Sequence, residues 1–146
     1  MLFDIQKTYD ILKHPKNLRN NKMAKETILI VDDEKNILDL YDQELQDEGY
    51  STFLAQNGKE CLEIIKNEAL DLIVLDIRMP KMDGLEAIGN IIDINNKIPI
   101  IINSAYSNYK DDFMSWAADA YVVKSYNLDE LKKTIKEVLQ KKKSSV

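Results

Sequence analysis

Apolar residues fall into two kinds of pattern along this chain. Ile28 to Val31, Ile73 to Leu75 and Ile100 to Ile102 are continuous runs of β-branched residues and leucine. A strand with one wet face alternates polar and apolar residues. A strand covered on both faces does not, so these runs predict the inner strands of a parallel sheet covered by helices. Tyr50 to Ala55 and Ala120 to Val123 are two further short strand candidates.

The second pattern has helical spacing. Glu34 to Glu48 places Ile37, Leu38, Tyr41 and Leu45 on one face, and Gly49 follows as a stop. Asn57 to Asn67 groups Cys61, Leu62 and Ile65, and Gly84 to Ile94 groups Leu85, Ile88, Ile91 and Ile92. Asn108 to Ala117 is a weaker helix, in which Phe113 and Trp116 are read as packing residues. Asn127 caps a last helix through Leu128, Leu131, Ile135, Val138 and Leu139, with Lys141 to Lys143 at its negative end. Five β-α units in a row with right-handed crossovers predict an α/β fold, a doubly wound five-stranded parallel sheet.

Composition narrows the class. The chain has 146 residues, 45% hydrophobic and 31% charged, which suits one globular domain with a short appendage. Residues 1–22 carry Lys7, Lys13, Lys16, Arg19 and Lys22 against Asp4 and Asp10, a net +3. The formal net charge is −5, so the remainder is −8. The domain is therefore placed at 23–142, with 1–22 as an appendage or a mis-assigned start and 143–146 as a tail. An acidic domain argues against direct nucleic-acid binding, which depends on neutralising phosphates. A single cysteine, Cys61, excludes an internal disulfide and a Cys-rich zinc site. No apolar run approaches the length of a membrane span, and Asp4, Lys7 and Asp10 interrupt any signal core. The expected setting is a reduced, cytoplasmic one. His14, followed by Pro15, is read as a tail histidine, because proline breaks a helix interior.

Ligands of open parallel sheets bind beyond the carboxyl ends of the strands. The residues there are Asp32, Asp33 and Glu34 after the first run, Asp76 after the third strand, Asn103, Ser104 and Ala105 after the fourth, and Lys124 after the fifth. Taken alone, Asp32 and Asp33 would serve as helix caps. With Asp76 alongside, two or three carboxylates within a few Å repel one another and call for a cation. Few hard oxygens, with room for water and a phosphate oxygen, suit Mg²⁺. A carboxylate nucleophile, a metal clamp, the Lys124 ammonium and the Ser104 hydroxyl fit phosphoryl transfer to an aspartate.

These stretches resemble the receiver domain of two-component response regulators. The resemblance rests on Ile28 to Glu34, on Asp71 to Gly84 with its Asp76-Ile77-Arg78-Met79-Pro80 core, and on Asp119 to Lys124, and it covers roughly Lys25 to Lys142. It implies a (βα)5 flavodoxin-like receiver fold and a phosphorylation-dependent switch. By the same resemblance, Asp76 matches the phosphoacceptor and Asp33 a direct Mg²⁺ ligand, with Asp32 acting through water. Arg78 would lend its backbone carbonyl to the metal. Ser104 matches the switch hydroxyl, Lys124 the pairing ammonium and Tyr121 the switch aromatic, while the amides of Ile77 and Ala105 would face the phosphate.

Two positions depart from the family pattern. Ser125 follows Lys124 where the family has proline after a cis bond, so the bond here is either trans or cis at a cost of ~3 kcal/mol. Ala117 stands where a glycine ends the fourth helix, and a left-handed alanine is unfavourable by ~1 kcal/mol.

The implied protein is a stand-alone receiver, not an enzyme beyond its own phosphorylation and dephosphorylation. Its expected partners are a histidine kinase or phosphotransfer protein and an output protein not yet identified. It would be a monomer, or a weak dimer through the fourth helix, fifth strand and last helix. Two rivals differ in kind. A haloacid-dehalogenase-type phosphatase would need a second aspartate two residues after Asp76, where Arg78 stands. A non-phosphorylated pseudo-receiver would have no use for Asp33, Asp76, Ser104 and Lys124 together.

Overall fold

The structure, a computed structural model, describes residues 25–77, 84–105 and 117–144. In chain order these form β1 (Thr27–Val31), α1 (Lys35–Asp47), β2 (Ser51–Ala55), α2 (Gly58–Asn67), β3 (Leu72–Leu75), α3 (Gly84–Ile94), β4 (Ile100–Ser104), β5 (Ala120–Val123) and α4 (Asp129–Ser144). All five strands are parallel, in the order β2-β1-β3-β4-β5. The predicted helix from Asn108 lies outside the described residues up to Trp116, as does the appendage at 1–22.

The continuous apolar runs behave as two-sided strands. In β1, Leu29 and Val31 join α2 and α3 in one core, while Ile28 and Ile30 join α1 and α4 in the other. Alternate residues of a strand point to opposite faces, so each residue of the run is buried by one layer or the other. The first core contains Cys61, Ile65, Ala87, Ile88 and Ile91, and burial pushes the Cys61 thiol up to about 12. The second contains Leu38, Tyr41, Leu45, Leu131, Ile135 and Leu139.

The helix ends follow from their sequence signals. Gly49, at φ 100°, lets Tyr50 N–H reach the Leu45 carbonyl (3.1 Å) and its own N–H reach Gln46 (2.9 Å), a Schellman stop for α1. Asn57 Oδ1 accepts from the Glu60 amide at 3.0 Å to start α2, and Asn127 Oδ1 accepts from Asp129 at 2.8 Å before α4. Two aspartates tie strand starts together. Asp71, just before β3, accepts from Thr27 N–H at 2.8 Å, and Asp119, just before β5, accepts from Ile100 N–H at 2.9 Å.

Three expectations need correction or resolution. Strand β4 runs on through Asn103 and Ser104, where the apolar run alone predicts its end at Ile102; both are buried and paired with Val122 and Val123. No cis peptide occurs among the described residues, so the Lys124–Ser125 bond is trans. No non-glycine residue among them has positive φ, so Ala117 does not adopt left-handed geometry.

Candidate functional site

The strand order explains where the polar groups meet. From β1 the chain crosses to β2 on one side, and β3 lies on the other, which makes a crevice beyond the carboxyl ends of β1 and β3. Val31 is in register with Leu75, so the residues that follow, Asp32 and Asp76, emerge side by side. The Asp76 amide donates to the Val31 carbonyl at 3.0 Å, which fixes the height of its side chain at the rim.

Carboxylate oxygens of Asp32, Asp33 and Asp76 all lie within 4.8 Å of one another. Asp32 and Asp76 are buried, at 2% and 4% exposure, while Asp33 faces solvent. Lys124 enters from the end of β5 and binds two of the three: its Nζ lies 2.6 Å from Asp32 Oδ2 and 3.0 Å from Asp76 Oδ2. Burial works against the charged form of Lys124, but hydrogen bonds and charge from Asp32 and Asp76 outweigh it and hold the ammonium above its ordinary pKa. The other Asp32 oxygen accepts from the Glu34 amide at 2.9 Å, at the entrance to α1. Three acidic groups with oxygen ligands and one open, exposed member fit a hard divalent cation that keeps water in its shell.

Ser104 ends the adjacent strand and is fully buried. Its carbonyl accepts from the Lys124 amide at 2.8 Å, which links the ends of β4 and β5. Tyr121 is half-buried and packs against the core that includes Ile102. Ser104, two residues beyond Ile102, points to the same face. The structure therefore brings Asp32, Asp33, Asp76 and Lys124 together, with Ser104 next to them and Tyr121 behind. Arg78 lies outside the described residues.

A buried polar pair escaped the sequence reading. Tyr41 OH donates to Asn103 Oδ1 at 2.6 Å, and Asn103 Nδ2 donates to the Val122 carbonyl at 2.9 Å. Burial raises the Tyr41 phenol to about 12, with Lys124 lowering it and Asp32 and Asp76 adding to the rise. The one available signal was an asparagine interrupting an apolar run, and it looked like the end of a strand.

A family model for the response regulator receiver domain matches residues 28–136. Sporulation initiation phosphotransferase F of Bacillus subtilis is 35% identical over 119 residues, covering 80% of this chain and 96% of that protein. Other relatives are longer: the chain spans 50% of probable transcriptional regulator ycf27 of Porphyridium aerugineum (36% identical) and 25% of regulatory protein AtoC of Escherichia coli (33%). Among solved structures, response regulator TrrA of Thermotoga maritima in complex with Mg²⁺-BeF is 49% identical, with a TM-score of 0.72 over 77% of this chain and 97% of that one. TrrA has also been solved in complex with histidine kinase ThkA.

Proposed function

The chain belongs to the response regulator receiver family and is a two-component signalling domain, and from that premise we propose that Asp76 is its phosphoacceptor. One observation carries the reading: the buried Asp76 carboxylate sits at the switch-point crevice, 3.0 Å from the Lys124 ammonium and beside Asp32 and Asp33. An Asp76 oxygen attacks phosphorus, the bond from phosphorus to the donor atom breaks, and that electron pair leaves with the donor. Lys124 offsets the charge that gathers on the phosphoryl oxygens. Asp33 and Asp76 would hold Mg²⁺ directly, with the Arg78 carbonyl, and Asp32 would act through water, since Lys124 and the Glu34 amide already engage its two oxygens. When bound, the ion would neutralise the acidic cluster and polarise the phosphoryl oxygens.

TrrA binds a histidine kinase, and a kinase or phosphotransfer protein is the donor we assign here. The output is a contact with a partner protein or onward phosphotransfer, in the cytoplasm and without direct nucleic-acid contact. The receiver unit spans 23–142 and acts as a monomer or a weak dimer through the surface around β5 and α4. Among the described residues, no helix is long and apolar enough to cross a membrane. Apart from transferring phosphate to and from itself, the domain is not an enzyme.

Incubation with acetyl phosphate should add the mass of one phosphoryl group in Mg²⁺ and none in EDTA. No gain in either condition would leave a binding module that is never phosphorylated. Switching has its own test. Ser104 and Tyr121 share a face of the sheet, so movement of Ser104 toward a phosphoryl group would open space for Tyr121. Beryllofluoride with Mg²⁺ should therefore change amide exchange from Tyr106 to Lys124, and Ser104→Ala should weaken that response without abolishing phosphorylation. Exchange changes confined to the loops holding Asp33 and Asp76 would remove the switch from this reading.

A further inference from the structure

Helix α1 is tied to the end of β4 by the Tyr41 hydroxyl. Tyr41 and Asn103 are each 2% exposed and 62 positions apart in sequence, yet they share a short buried side-chain hydrogen bond of 2.6 Å. Within β4, Ile101 faces the core of α1 and α4, and Ile100 and Ile102 face the core of α2 and α3. Alternation therefore puts Asn103 on the α1 face and Ser104 on the other. Asn103 spends both ends of its amide: Oδ1 takes the Tyr41 proton, and Nδ2 gives one to the Val122 carbonyl at 2.9 Å. Two residues beyond Val122 comes Lys124, whose own amide is pinned to the Ser104 carbonyl at 2.8 Å.

We propose that Tyr41 and Asn103 are positioning residues for phosphoryl transfer, a buried chain of hydrogen bonds from α1 through β4 to β5 that sets where the Lys124 ammonium meets Asp76. The proposal rests on Asp76 being the phosphoacceptor. An apolar pair could fill the same volume but would add only contact to the backbone ladder that joins β5 to β4. Hydrogen bonds are directional, and a buried chain of them narrows the arrangements open to its members. That constraint matters at this place because, among the described residues, β5 pairs on one side only, and Lys124 follows its last residue. Tyr41 is close enough to Lys124, Asp32 and Asp76 that all three charges act on its phenol.

The test is a cycle of variants in the full chain, read as the rate of Mg²⁺-dependent phosphorylation by acetyl phosphate, with thermal melting alongside. Tyr41→Phe should slow the saturating rate by about tenfold, as loss of orientation does, and leave the half-saturating donor concentration nearly unchanged. In a Lys124→Ala background the same substitution should change the rate less than twofold, because residues acting through one group are not additive. Equal loss in both backgrounds would show a general structural effect and overturn the proposal, as would an unchanged rate in Tyr41→Phe itself. The double variant Tyr41→Phe with Asn103→Leu removes donor and acceptor together, so it should melt higher than Tyr41→Phe alone. It should nevertheless stay slow, since the tie to Val122 is gone. Recovery of the rate along with the melting temperature would reduce the pair to core filling. A wild-type protein that takes no phosphoryl group at all would instead sink the assignment of Asp76, which separates the two failures.

Discussion

Asp76→Asn is expected to lose phosphorylation entirely while keeping the fold. The amide preserves the size of the side chain and its place at the end of β3, where the backbone amide holds the Val31 carbonyl at 3.0 Å. It removes the anionic oxygen that must form the new bond to phosphorus. Stability should change little. Lys124 keeps its contact with Asp32 at 2.6 Å, and the cluster of three carboxylates becomes two, which relieves like-charge repulsion as one ion pair is lost. The melting temperature should therefore stay within about 5 °C of wild type. Intact mass after acetyl phosphate and Mg²⁺ reads the chemistry, and a thermal melt reads the fold. Labelling of the variant to the wild-type extent would move the acceptor to another residue, Asp32 and Asp33 being the nearest.

How much of this was readable in advance depends on what each feature needs. Strands buried on both faces must be apolar throughout, so β1 and β3 stood out as runs, and the carboxylates that close them marked the rim. The sequence predicts too short a β4 because Asn103 and Ser104 are polar and yet buried, and a polar pair after an apolar run looks like a loop. Periodicity contains no pairing, so it gave five parallel strands without the order β2-β1-β3-β4-β5. The reach of Lys124 to Asp76 was expected, but its shorter contact with Asp32 depends on the register that sets β1 beside β3. Tyr41 shows the limit most clearly. At helical spacing it was one more apolar face residue, and only the fold supplies the asparagine on which its hydroxyl ends.

Lys124→Ala is expected to make the protein less stable without Mg²⁺ and more responsive to it. Lys124 is the cation that holds Asp32 and Asp76 at 2.6 and 3.0 Å, and both carboxylates are nearly inaccessible, at 3% and 5% side-chain exposure. Removing one partner of a buried pair costs about 3–5 kcal/mol when the other charge is left uncompensated. Here the lysine side chain is itself 17% exposed and water can enter in its place, so about 2 kcal/mol is a fairer figure. A domain of this size should melt about 8 °C lower in EDTA as a result. Adding Mg²⁺ reverses the loss for a simple reason. In the wild type the ion approaches carboxylates already shared with an ammonium, whereas in the variant Asp32 and Asp76 have lost that ammonium and its charge no longer opposes the ion. Binding to the folded state stabilises by RT ln(1 + [L]/Kd), about 1.4 kcal/mol at tenfold over Kd, and a several-fold lower Kd in the variant adds to that. The melting temperature of Lys124→Ala should thus rise more steeply with Mg²⁺ than that of the wild type, even as phosphorylation slows for want of the ammonium. If Mg²⁺ raises both proteins equally, Lys124 and the ion do not compete for the same oxygens, and the cation site lies away from Asp32 and Asp76.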